Sequence, residues 1–182
     1  MSTSVTSTQP RPTAGTYTID PGASSLSLHT KHMFGLGKVS GTFAIASGEI
    51  TVTSPIEGSF VVVSIDAASF DTKKLQRDKA VRDKFLDASA SPTISFRSTE
   101  LVDNGANWSM SGQLTVRENA APVTVVVTEL TTDGASFVVT GTCRVDRYAL
   151  GVTAMKAMAA RFLDVAVRVR MPASVPTDSM GG

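Results

Sequence analysis

Along most of this chain apolar and polar residues take turns. Phe137, Val139, Gly141, Cys143 and Val145 share one parity, and so do Leu163, Val165, Val167, Val169 and Met171, with Arg168 and Arg170 opposite the last set. Successive side chains on a strand point to opposite faces, so a period of two makes a strip with one apolar and one polar side. Such a strip is stable only when its apolar side is covered by other strips of the same kind. The same period runs through Thr16 to Asp20, Ser24 to Met33, Val39 to Phe43, Ile94 with Phe96, and Trp108 to Val116. Ser59 to Ala67 is apolar on both faces at its centre, and Val123 to Leu130 is a β-branched run, which suits a pleated surface. Roughly eight to ten strands with short turn signals between them predict a closed barrel or a sandwich.

Two stretches break the rhythm. Asp71 to Asp87 (DTKKLQRDKAVRDKFLD) has Leu75, Val81 and Phe85 near helical spacing and offers Lys74–Asp78 and Lys79–Asp83 as (i, i+4) pairs. It predicts the one helix, capped by Asp71 or Thr72 and ended before Pro92. Val152 to Arg161 (VTAMKAMAAR) lies between two strand patterns and carries Met155 and Met158 three apart. Methionine suits a surface that adapts to varied apolar partners, so this stretch reads either as a lid or as a loop packed on the barrel end.

The chain has 182 residues, enough for one domain with a sizeable core. Its net charge of +1 leaves no electrostatic footprint for nucleic acid. No apolar run approaches the roughly 20 residues of a membrane-spanning helix. Residues 1–14 and 173–182, rich in small and polar side chains, read as disordered tails around a domain at 15–172. With Met1 taken as the native start, the missing apolar leader predicts a cytoplasmic protein.

Catalytic and metal-binding patterns are mostly wanting. Cys143 is the single cysteine and shares its face with Phe137 and Val139, which predicts a small buried hydrophobe. His29 and His32 are three apart, which on a strand sends them to opposite faces, so they cannot share an ion. There is no nucleophile elbow of the G-x-S-x-G kind. His32 falls on the face of Leu26, Leu28 and Thr30, where it is either a satisfied core histidine or one polar handle in an apolar wall.

Several words in order resemble the YceI-like family of lipocalin-like, polyisoprenoid-binding barrels. They are Tyr17-Thr18-Ile19-Asp20-Pro21, Lys31-His32-Met33 leading to Val39-Ser40-Gly41-Thr42-Phe43, and Val63 to Thr72 running into Arg77-Asp78 and Phe85-Leu86-Asp87. Pro92-Thr93-Ile94-Ser95-Phe96, Gly112-Gln113-Leu114-Thr115-Val116 and Val145-Asp146-Arg147 with Gly151 complete the set, which runs from about Tyr17 to Met171. The resemblance implies an all-β, antiparallel, lipocalin-like closed barrel of about eight strands with one helix after the strand ending near Ala67. It implies a soluble carrier of an isoprenoid or other long-chain lipid, with no other cofactor and no metal, and leaves a homodimer open. The wall residues expected to meet the lipid are Leu26, Leu28, His32, Phe43, Ile94 and Phe96, together with Trp108, Met110, Leu114, Phe137 and Val139. Met155 and Met158 would close over the mouth, where Lys156 or Arg161 would attract a phosphate. Gly41, Gly112 and Gly141 would either admit bulky neighbours or leave a slot. The competing expectations are an enzyme on an apolar substrate with His32 as base, and a barrel filled by its own side chains.

Overall fold

The period-two segments become nine strands in the computed structural model, which describes residues 11–31, 37–153 and 160–173. They are β1 (Gly15–Thr18), β2 (Ser25–Lys31), β3 (Lys38–Val52), β4 (Phe60–Asp71), β5 (Thr93–Asp103), β6 (Trp108–Val116), β7 (Asn119–Thr132), β8 (Ser136–Asp146) and β9 (Phe162–Pro172). Every pairing is antiparallel. From β2 the order runs β9-β8-β7-β6-β5-β4 and returns through β3, so eight strands close into one barrel. β1 extends the wall by pairing with Glu49–Val52 of β3, beyond the stretch of β3 that β2 occupies.

Register carries the sequence pattern into the lumen. Leu26 lies opposite Phe43 and Val167, and Leu28 opposite Gly41 and Val165, so one parity of three strands forms a continuous inner face. Bulges reset the parity where the pattern skips. Between Ser98 and Glu100 the β5–β6 register shifts, after which Leu101 rather than Glu100 is buried. At that bend the buried Ser98 hydroxyl accepts the Val61 N–H at 2.7 Å. A similar shift between Val127 and Glu129 turns Leu130 inward. Such bulges bend and twist a strand, which helps a sheet close.

The helix is shorter than the expected 71–87. α1 spans Leu75–Ala80 and continues as a π-helical turn over Val81–Phe85. Asp71 and Thr72 do not cap it. Asp71 ends β4, and its carboxylate accepts the Lys73 N–H at 2.7 Å. Thr72 instead donates both its N–H and its hydroxyl to the buried Asp78, at 2.9 and 2.5 Å, so Asp78 braces the turn into the helix. That use of Asp78 leaves the expected Lys74–Asp78 pair unformed, while Lys79 and Asp83 do pair. Leu75, expected on the apolar face, is 88% exposed. Val81 and Phe85 pack on the main core.

The chain's strands alternate direction, so the two ends of the barrel are distinct. One end holds α1, the tight β6–β7 turn and the long β8–β9 connection. The other holds β1 and the β3–β4, β5–β6 and β7–β8 connections. At this second end Tyr17, Val52, Leu130, Phe137 and Met171 form a separate buried cluster. Tyr17 and Phe137 meet edge to face at 6.4 Å, and the Tyr17 hydroxyl donates to the Thr13 carbonyl at 2.7 Å. Arg11 pairs with Asp103 at 3.0 Å and lies over the Trp108 ring. Residues 11–13, expected in the tail, are therefore tied to the barrel wall.

Candidate functional site

A cavity of about 500 Å³ occupies the lumen between that buried cluster and α1. This is within the size range of small-molecule sites, about 300–1,000 Å³. Its wall is apolar nearly throughout.

Leu26, Leu28, Phe43, Ile94, Phe96, Met110, Leu114 and Val139 all line it. Two expected wall residues sit elsewhere. Phe137 belongs to the buried cluster at the closed end, and Trp108 lines a smaller void of about 70 Å³ between that cluster and the cavity floor. Ile50, Val61, Met110, Val127 and Val139 border both spaces and form the floor. His32, Met155, Met158 and Lys156 lie outside the described residues. Arg161 is engaged, its guanidinium donating to both Asp146 carboxylate oxygens at 3.0 and 2.7 Å.

Sequence reasoning expected the barrel end to be covered by Val152 to Arg161 but left most of the roof residues out of the wall. Ala80, Val81, Phe85 and Leu86 of the helical segment and Leu150 and Val152 of the β8–β9 connection line the cavity from its α1 end. Val81 and Phe85, four apart, were the available signal: an apolar stripe on a short helix must cover something. The buried Arg147 fastens the other half of the roof. Its Nε donates to the Ala160 carbonyl at 2.9 Å and an Nη to that of Val152 at 2.7 Å, and its guanidinium lies 4.9 Å from the Tyr148 ring centre. Gly151 completes that turn at φ +73°, where a Cβ would come within 2.5 Å of the Asn119 amide.

The wall glycines admit bulky neighbours. A Cβ on Gly112 would fall 2.6 Å from the Phe96 ring, and one on Gly41 3.0 Å from the Phe70 ring. Phe70 in turn packs against Phe43 at 5.2 Å. Two missing side chains thus let aromatic rings lie along the wall rather than cutting a slot in it.

Few polar atoms bear on the lumen. Thr30 lies along it, and its hydroxyl is buried with no hydrogen-bond partner, the one such side-chain atom among the described residues. Arg77 reaches the cavity edge with its Nε donating to the Thr72 hydroxyl at 2.8 Å. Cys143 also lines the lumen, and burial pushes its thiol up to about 11, which holds it protonated and poorly nucleophilic at neutral pH. His29 faces out, bonded through Nδ1 to the Ser40 hydroxyl at 2.8 Å. Among the described residues no three of His, Cys, Asp and Glu gather as a metal site would require.

Residues 17–174 match the YceI-like domain. A UPF0312 protein of Vibrio cholerae is 34% identical over 116 residues, covering 62% of this chain and 61% of the relative's length. A UPF0312 protein of Pseudomonas aeruginosa is 41% identical over 66 residues, or 36% of this chain and 35% of its own. The chain thus spans less than two thirds of the length of the curated relatives it matches. Among solved structures, BcnA of Burkholderia cenocepacia superposes with a TM-score of 0.75 at 23% identity, over 84% of this chain and 98% of the other. A polyisoprenoid binding domain from Saccharophagus degradans gives 0.66 at 14% identity, over 87% of this chain and 98% of its own. Both likenesses are of fold. The match over residues 17–174, falling on a closed eight-stranded barrel with a helix across one end, establishes that this chain belongs to the YceI-like family.

Proposed function

We propose that the barrel is a non-catalytic binding protein for a long-chain lipid of isoprenoid type. The observation that carries this reading is the cavity of about 500 Å³ with a nearly uninterrupted apolar wall. Each CH₂ moved from water into such a wall gains about 0.8 kcal/mol, so a tail of several isoprene units needs no further machinery to be held. A polar head placed among these side chains would lose its hydrogen bonds to water, at a cost of about 1–3 kcal/mol or more. The tail therefore fills the lumen and the head stays at the α1 end. Membership of the family and the fold shared with a domain that is itself named polyisoprenoid binding support the same ligand class.

The absence of catalysis is part of this proposal. The protonated Cys143 and the outward His29 supply no activated nucleophile or base to the lumen. Extraction of the purified protein into organic solvent under denaturing conditions, followed by mass spectrometry, tests the reading. The expected result is a stoichiometric hydrocarbon-tailed lipid, or saturable uptake of an added polyprenol by protein stripped of it. The absence of both co-purifying lipid and uptake would leave the carrier reading without support and favour a barrel with a purely structural or interaction role.

A further inference from the structure

Ligands that fill a lumen of this kind are sparingly soluble and reside in bilayers, so the rim through which they pass has to meet one. The segment over the cavity end carries the features of such a rim. Between positions 73 and 84 it holds six basic residues and two acidic ones. Of the two acids, Asp78 is turned inward to Thr72 and Asp83 is paired with Lys79. Lys74 and Lys84 are exposed and make no ion pair among the described residues. Leu75 projects from this basic surface at 88% exposure, against 41–48% for the other exposed large hydrophobics, Phe60, Val102 and Phe162. Phe162 stands at the same end of the barrel, with the guanidinium groups of Arg144 and Arg161 over its ring at 5.5 and 5.2 Å.

The opposite end has the reverse character. Its connections at 53–59, 104–107 and 133–135 contain Glu57 and Asp133 and neither lysine nor arginine, and the arginines beside them, Arg11 and Arg170, are paired with Asp103 and Asp133. Lysines without an ion pair among the described residues, Lys74 and Lys84, thus stand at the end the cavity reaches. A leucine held in water among lysines gains nothing from folding. Against an anionic bilayer it buries its side chain at headgroup level while the lysines meet lipid phosphates.

We propose that the Lys73–Lys84 segment is a docking surface for anionic lipid bilayers, with Leu75 as the inserting side chain and Lys74 and Lys84 as headgroup contacts. The inference rests on the lipid-carrier reading and deepens it by naming where the tail is exchanged. It is tested by flotation of the full chain with vesicles of phosphatidylcholine alone or with added phosphatidylglycerol, beside an uptake assay using a polyprenol dispersed without vesicles. Binding is expected with phosphatidylglycerol only, and it should weaken as salt is raised. Lys74→Gln and Lys84→Gln should each cost about fivefold in vesicle affinity. Leu75→Ser should lower it further, and all three variants should keep wild-type uptake of the dispersed polyprenol. Equal partition onto neutral and anionic vesicles, or variants that bind like wild type, would overturn the docking surface. Wild-type uptake without vesicle binding would also overturn it and leave the carrier reading standing, whereas vesicle binding without uptake would count against the carrier reading alone.

Discussion

The two ends of this barrel solve the same packing problem in opposite ways. At the β1 end Tyr17, Phe137 and Met171 meet one another across the lumen and fill it. At the α1 end Leu28, Phe43, Ile94 and Phe96 leave their inner surfaces facing an empty space of about 500 Å³. Composition separates the two only in part: the filled end joins Tyr17 and Met171 to Val52, Leu130 and Phe137, and the cavity wall is mostly valine, leucine, isoleucine and phenylalanine. What differs is the covering element. β1 lays the fully buried Tyr17 beside β3, where it is held by its hydroxyl bond to Thr13. The α1 end is roofed from above by a short helix and a connection whose side chains stop at the rim. One end therefore contributes stability and the other contributes room.

That contrast can be broken at either end. Met171→Ala removes a side chain that is 2% exposed in the filled end, and should cost about 3 kcal/mol in urea denaturation, within the range for large-to-small core changes. Its lipid uptake should hold near wild type at temperatures where the variant is folded. Val167→Phe acts in the empty end. Val167 lies between Leu26 and Gly141 on the cavity wall, and a ring there finds space, so stability should move by less than about 1 kcal/mol. Polyprenol uptake should fall about tenfold or more, and an unchanged affinity would place the tail elsewhere. The smallest effect belongs to Thr30→Val, which replaces the unpartnered buried hydroxyl by a methyl of the same shape. Denaturation should report a gain of about 1 kcal/mol, because the folded state no longer strands a polar group away from water.

The barrel itself was written plainly in the sequence. Alternation from Phe137 to Val145 and from Leu163 to Met171 gives strands whose inner faces need each other, and β8 and β9 pair along that whole length. Alternation does not say how far along the barrel axis an inward residue sits. Phe137 and Val139 have the same parity on one strand, yet the first is in the filled end and the second on the cavity floor. Height is set by the stagger between strands and by bulges such as that after Ser98, which depend on long-range pairing. Trp108 was misplaced for the same reason. The helix shows a different limit. Leu75, Val81 and Phe85 share a spacing, but Thr72 held by Asp78 starts the helix at Leu75 and points that leucine outward. The roof was partly legible, because Val81 and Phe85 form the stripe that turns inward.

β3 serves two strands on one edge, β2 along Lys38–Phe43 and β1 along Glu49–Val52. Among the described residues β1 itself is laddered to β3 alone, with β9 reached through the Asp20 N–H on the Arg170 carbonyl at 2.8 Å. Detaching the four residues of β1, by proteolysis or by trimming the chain to its nineteenth residue, would bare a row of unpaired backbone groups on β3 without opening the eight-stranded ring. Such a row is a template for strand addition from another molecule. The short first strand thus acts as a built-in guard against self-association, and a truncated chain, which also loses the buried Tyr17, should be less stable and should associate edge to edge.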